Sequence, residues 1–227
     1  MTLDEVCEAI IDLLPQSENN LGFVSPTHFV LQMVSIVEEL RRRGHNPTII
    51  YNTNGYELPE TIRLLEGIVD VWLPDFKYSD NYLAEALSQA PEYSRYALVS
   101  LKEMMRQAGT TLHTDDHGIA RRGIIIRHLV LPGCVENSLG VLRLMAEHLS
   151  PNLHISLMSQ YYPPDNPAFN NFRPGKDEKH RKSQIANPKS LHRPLTRKEY
   201  KSVVDAFHDL GFTRGWLQEY ESHRTYR

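Results

Sequence analysis

The stretch from Val69 to Tyr78, VDVWLPDFKY, restricts this chain more than any other: an apolar run suited to one buried strand ends abruptly on Asp75 and Lys77. In a strand, residues two apart project from the same face, so this carboxylate and ammonium share a side with Val71 and Leu73. The pattern recurs in GFVSPTH, IIYNTNGY, IIIRHLVLPG and HISLMSQYYPP, each apolar, then polar, then a turn. Helical periodicity fills the intervals, and such alternation predicts parallel strands joined by right-handed crossovers. In folds of that kind the site lies beyond the carboxyl ends of the strands, which makes the polar tails the candidate site.

Taken in order, Thr2 and Glu5 form a capping-box pattern ahead of Leu3, Val6, Cys7, Ile10 and Leu14, a helical stripe that Pro15 interrupts. Cys7 lies within the stripe and reads as a small buried hydrophobe. A short strand at Gly22 to Val24 leads into a helix over 29–43, closed by Gly44. Thr48 to Tyr51 predicts the next strand, and 58–65 a short helix with Pro59 in its first turn. A helical region from Asn81 to Ala108 is broken near Pro91. Thr110 to His113 and Ile119 to Leu131 then read as a hairpin around Asp115-Asp116-His117-Gly118. His113 and His117 flank two aspartates there, but carboxylates and a glycine at a turn tip are turn chemistry, and further ligands do not cluster nearby. A helix over 138–149, a strand from Leu153 to Met158 and a helix capped by Thr196 and Glu199 complete a pattern of about five strands.

Between Pro163 and Pro194, prolines, asparagines and the run Lys176 to Lys182 replace periodicity; that stretch reads as a long loop, either a lid or docking arm or a plain surface excursion. Beyond Phe212 little pattern remains, with Trp216 expected to pack. The expected organisation is therefore a barrel-like unit over 1–162, a basic, proline-rich loop over 163–194, and a closing helix and tail over 195–227 that associate with the barrel.

Charge and cysteine usage narrow the setting. Lys+Arg 25 against Asp+Glu 28 gives a formal net charge of -3, so no global field draws nucleic acid or an anionic membrane. Cys7 and Cys134 are too far apart for a local metal motif and suggest no disulfide framework, which fits a reducing, cytoplasmic location. The amino terminus is acidic where a signal peptide would be basic, and no apolar run approaches membrane-spanning length. Neither an internal repeat nor a glycine-rich phosphate loop is present.

The ordered set SPTH, YNTNGY, LPDFKY, IRHLVLPG and SQYYP resembles the radical S-adenosylmethionine superfamily over most of the chain, nearest to the pyruvate formate-lyase activating enzyme and its uncharacterised homologues. The resemblance implies an α/β fold, a partial (β/α) barrel of parallel strands that binds S-adenosylmethionine against a 4Fe–4S cluster. The cluster cleaves the cofactor to a 5'-deoxyadenosyl radical, which takes hydrogen from a glycine of a partner protein, a glycyl-radical-type substrate, or from another donor. By the same resemblance Lys77 meets the cofactor's carboxylate and Asp75 is its neighbouring acid. Asn52 stands where family members often have aspartate, with Thr53 and Asn54 following in the matching order. Arg127 is similar to the arginine on the strand before the Pro-Gly turn, and Gln160 and Tyr161 occupy the tail that contacts ribose or adenine. A carboxylate, an ammonium, a sulfonium and an adenosine call for a cation, an acid and amide-type partners, which this set supplies.

Two departures stand out. Ser25-Pro26-Thr27-His28 replaces the family's Gly-Gly-Glu element, leaving Ser25, Thr27 and His28 as the residues at that subsite. The CxxxCxxC loop after the family's first strand has no counterpart, since neither Cys7 nor Cys134 belongs to one. Thiolates hold the irons of such a cluster, so this chain is expected to carry no metal ligands and, alone, no radical chemistry. The chain opens on a helix, and the missing strand and missing cysteines read as one omission, the first βα unit. Other readings stay open: a non-catalytic truncated barrel that keeps a nucleoside or partner surface, or a Schiff-base lyase using Lys77 beside Asp75. Asp75 and Lys77 could equally be a structural ion pair, Arg127 a strand-end partner, His28 a helix cap and Cys134 an incidental turn residue.

Overall fold

The computed structural model describes residues 1–163 and 188–220. Its strands are β1 (Asn20–Val24), β2 (Thr48–Thr53), β3 (Val71–Pro74), β4 (His113–Thr114), β5 (Ala120–Leu129), β6 (His154–Met158) and β7 (Gly215–Leu217). Six of them pair in parallel in the order β1-β2-β3-β5-β6-β7, and β4 runs antiparallel against the start of β5 across a bulge. The sheet does not close, so the fold is an α/β partial barrel with β1 and β7 at its edges.

Burial alternates along the strands, and that alternation positions the site. Ile49, Tyr51 and Thr53 of β2 are buried, while Thr48, Ile50 and Asn52 are half exposed. Ile124, Ile126 and His128 of β5 are buried, while Ile125, Arg127 and Leu129 are half exposed. The buried set packs on Met33 and Val37 of α2 (Val30–Arg42) and on Leu101 and Met104 of α5 (Tyr93–Ala108), with Trp72 at the centre. One face of the sheet is thus covered by helices and the other stays open, where a closed barrel would fill its interior with side chains.

Helix boundaries follow local chemistry. Thr2 and Glu5 cap α1 (Leu3–Leu13) reciprocally, and Thr196 and Glu199 do the same for α7 (Arg197–Asp209). Between them lie α3 (Pro59–Arg63), α4 (Asn81–Ser88), which Asp80 caps, and α6 (Val135–His148). No helix among the described residues is long and apolar enough to cross a membrane.

The expected strand count was short. Past α7 the chain forms β7, with Gly215 seated on β6: a Cβ there would lie 2.0 Å from the Ile155 carbonyl oxygen, and φ is +119°. Only glycine admits that approach. Trp216, expected to pack, is instead 52% exposed on this edge strand. Of the loop expected over 163–194, residues 164–187 lie outside the described residues. Its end is built in: Pro188–His192 forms a 3-10 turn and both Leu191 and Leu195 are buried.

Candidate functional site

β3 continues past Pro74 as Asp75-Phe76-Lys77, and the pleat sends Phe76 into the helix-covered core while Asp75 and Lys77 stay on the open face. Arg127 joins them from β5 and Asn52 from β2. Lys77 Nζ lies 2.5 Å from Asp75 Oδ2, and Arg127 Nη2 lies 2.8 Å from Asp75 Oδ1. The hydrogen bond of Arg127 Nη2 goes to Asn52 Oδ1 at 2.7 Å, so its contact with Asp75 is Coulombic. One carboxylate therefore serves two cations, leaving a net positive charge in the group. Arg127 Nε and Asp75 Oδ1 are buried without a hydrogen-bond partner. A buried donor left this way costs about 1–3 kcal/mol, and a ligand group that met it would recover that energy.

Beside this cluster opens a pocket of about 290 Å³ lined by Asp75, Lys77, Tyr78, Arg127, Leu129, Leu131, Met158 and Gln160. Charge lies on the β3 and β5 side, with leucines and a methionine completing the wall. This is the usual division in a small-molecule site, apolar enclosure with few orienting polar groups.

The backbone of the β3 tail is held from behind. Tyr93, buried in α5, donates its hydroxyl to the Asn54 carbonyl at 2.7 Å, lies 3.1 Å from the Asp75 carbonyl, and accepts the Lys77 N–H at 2.9 Å. His128 places Nδ1 2.7 Å from the Phe76 carbonyl and Nε2 2.8 Å from Ser138 Oγ. A carbonyl only accepts, so Nδ1 carries the proton and Nε2 accepts from the serine. Burial pushes this imidazole down to about 4. Asn137 donates to the Lys77 carbonyl at 2.9 Å and accepts the Ser79 N–H at 2.9 Å. Gly55, with φ +78°, lets the β2 tail close on β3, where a Cβ would lie 2.2 Å from the Asp75 carbonyl oxygen.

Of the residues singled out from sequence, the structure gathers Asn52, Asp75, Lys77, Arg127 and Gln160 around this pocket. It sets the others apart. Thr53 turns to the helix-covered side and donates to Glu57 Oε1 at 2.6 Å. Thr27 reaches the same carboxylate oxygen, also at 2.6 Å. Asn54 folds back on the Tyr56 N–H, Ser25 adopts a left-handed conformation with its N–H on the Asn52 carbonyl, and the His28 ring packs on Phe29. Tyr161 donates to the Leu191 carbonyl at 2.7 Å, and burial pushes its phenol up to about 12. Glu57, Tyr93, His128, Asn137 and Gln218 carry roles here that the sequence reading missed; only His128, a polar residue at a buried position of an apolar strand, left a signal.

A 4Fe–4S cluster does not fit the residues present. Among the described residues, no group of three or more His, Cys, Asp or Glu could hold a metal ion. Cys7 is buried in α1, and Cys134 is buried at the start of α6 with its thiol pushed up to about 12 by burial. At the hairpin turn Asp115 accepts the His117 and Ile119 N–H groups and pairs with Arg121, which is turn chemistry.

Searched against protein-family models, the sequence matches none. It is 30% identical over 150 residues to an uncharacterized protein of Methanocaldococcus jannaschii, an alignment that covers 63% of this chain and 38% of that protein. This chain thus spans well under half the length of the curated relative it matches. Among solved structures, a domain of pyruvate-formate lyase-activating enzyme from Bacteroides vulgatus superposes with a TM-score of 0.55 at 12% identity, covering 88% of this chain and 99% of that domain. At that identity the likeness concerns the fold alone, an open α/β partial barrel.

Proposed function

We propose that this chain binds S-adenosylmethionine at the carboxyl ends of β3, β5 and β6, as part of a cytoplasmic, activating-enzyme-like radical protein that takes hydrogen from a glycyl-radical-type protein or another donor. The observation that carries this reading is the shared carboxylate: Asp75 between Lys77 and Arg127, with Arg127 Nε and Asp75 Oδ1 unmet beside a half-apolar pocket. The donor set suits the cofactor. Lys77 and Arg127 would meet its carboxylate, Asp75 its ammonium, and Leu129, Leu131 and Met158 would face the adenosine. When bound, the cofactor supplies the 5'-deoxyadenosyl group. The cluster that cleaves it finds no ligands among the described residues, and the whole sequence holds only two cysteines. Radical formation would therefore draw on cysteines outside these 227 residues, and the role of this chain's own residues is to bind and orient.

The lyase reading fares worse on the same observations. A Schiff-base lysine is activated by desolvation or by a neighbouring cation. Lys77 instead lies 2.5 Å from a carboxylate with its side chain 39% exposed.

Calorimetry with S-adenosylmethionine tests the proposal. Binding is expected with the native protein, weakened about tenfold or more by Lys77→Ala or Arg127→Ala, the scale of a lost charge-assisted hydrogen bond. No heat from the native protein would end this reading.

A further inference from the structure

Gln160 lies on the pocket wall, and its amide has two sides of opposite chemistry, a carbonyl that accepts and an NH₂ that donates. Which side faces a ligand is fixed by a relay that starts at the backbone. The Ser159 N–H can only donate; its partner, 2.9 Å away on the Gln218 side chain, is therefore Oε1. Gln218 Nε2 is then the atom 3.0 Å from the Gln160 side chain, and its partner there must be Oε1. Gln160 Nε2 is left with the Met158 thioether at 3.8 Å, a weak acceptor on the same pocket wall. The relay is anchored beside β6: Gln218 donates its N–H to the Leu157 carbonyl at 3.0 Å, and buried Tyr200 donates its hydroxyl to the Gln218 carbonyl at 2.7 Å.

We propose that Gln218 is a positioning residue that presets Gln160 so that this wall offers an N–H, and that the site selects a ligand group with a lone pair at that point, such as a ring nitrogen or ribose oxygen, over one presenting N–H. The identity of the ligand rests on the S-adenosylmethionine reading; the preset does not.

Gln218→Glu separates the two. Glutamate keeps the shape and the Ser159 bond but presents an acceptor to Gln160, whose amide must turn to donate and so shows its carbonyl to the pocket. Proton exchange of the side-chain amides in the ligand-free, ¹⁵N-labelled protein reads this directly. In the native protein the Gln218 NH₂ should exchange more slowly than that of Gln160; in Gln218→Glu the Gln160 NH₂ should become the protected one. A protected Gln160 in the native protein, or no change in the variant, overturns the proposal.

In calorimetry with S-adenosylmethionine, Gln218→Glu should weaken binding about tenfold, although its added negative charge would favour a cationic ligand. Gln218→Ala, which frees Gln160 to turn either way, should cost about threefold. Equal losses in the two would mark Gln218 as structural and overturn the selection. Gln160→Glu, which places an oxygen on the pocket side by itself, should reproduce the Gln218→Glu loss and covers a failure of that variant to fold. If the native protein binds no S-adenosylmethionine, the functional reading falls while amide exchange still decides the preset.

Discussion

Arg121 and Arg127 lie six residues apart on β5 and face the same side of the sheet, each paired with an aspartate, yet the two rims they serve are finished differently. At the amino-terminal rim Arg121 donates through Nε to Asp115 Oδ2 at 3.0 Å and through Nη1 to the Glu18 carbonyl, Asn20 Oδ1 and Thr48 Oγ1 at 3.0–3.2 Å. Asp115 in turn takes the Ile119 N–H, the main cause of its lowered pKa, together with Arg121 and the His117 N–H. That guanidinium ties the hairpin turn to β1 and β2. At the carboxyl-terminal rim Arg127 leaves Nε unmet and Asp75 leaves Oδ1 unmet, both buried. The same residue types make a strut at one end and a candidate binding site at the other, and what separates them is saturation.

Between pH 6.5 and 4 acid should loosen the second rim, with the largest expected effect, while the lowered Asp115 carboxyl keeps the first rim intact until pH falls below its ordinary value of 3.8. His128 supports the Phe76 carbonyl, and burial holds its imidazole at about 4 against an ordinary value of 6.5. The folded chain keeps it neutral while the unfolded chain takes a proton as pH falls through 6.5. Its contribution is full above that value, declines between 6.5 and 4, and amounts to about 3 kcal/mol in all. Denaturant titrations of the native protein should show this slope, and His128→Gln should flatten it. A separate loss belongs below 4.5: burial would raise Glu199, but Arg193 and Thr196 hold its carboxyl at about 2. An unchanged slope between 6.5 and 4 in His128→Gln would remove this support from the rim.

A paired substitution sharpens the contrast. Arg127→Met removes an unmet donor and leaves Asp75 its partner Lys77, so stability should change by less than about 1 kcal/mol while S-adenosylmethionine binding falls about a hundredfold. Arg121→Met breaks a saturated network; the melting temperature should drop by about 5 °C with binding within about twofold of native. Thermal unfolding and calorimetry on the two proteins decide it, and the reverse assignment of losses would break the comparison.

What was legible beforehand was local. Capping boxes need residues three apart, and strand tails announce themselves where an apolar run turns polar, so α1, α7 and most strands could be read from the chain. β7 could not: three exposed residues whose partner, Ile155, lies sixty residues earlier leave no periodic trace. The site was half legible for a related reason. Asp75 and Lys77 followed from the pleat and Asn52 and Arg127 from the family resemblance, but Thr53 is adjacent to Asn52, so the pleat of β2 turns it to the other face. Tyr93, Asn137 and Gln218 act on the site from elements distant in sequence, and only assembly of the fold brings them there.

Glu57 asks which side of the contrast a third unsaturated group belongs to, and its expected effect is the smallest. Its side chain is buried, with Oε1 accepting from Thr27 and Thr53 at 2.6 Å each and lying 3.2 Å from the Tyr51 hydroxyl, while buried Oε2 has no partner. Glutamine keeps the shape and the accepting oxygen, and an unpartnered amide is cheaper to bury than an unpartnered carboxylate oxygen. Glu57→Gln should therefore stabilise the fold by about 1 kcal/mol, or about 2–4 °C in melting temperature. Because Glu57 meets Thr53 on the helix-covered side, S-adenosylmethionine binding should not change. If instead binding fell tenfold with stability unmoved, the unmet oxygen would belong with Arg127 Nε as part of the ligand site. A melting temperature several degrees lower with binding intact would place Glu57 beside Arg121, as a strut whose hydroxyl bonds outweigh its one unmet oxygen.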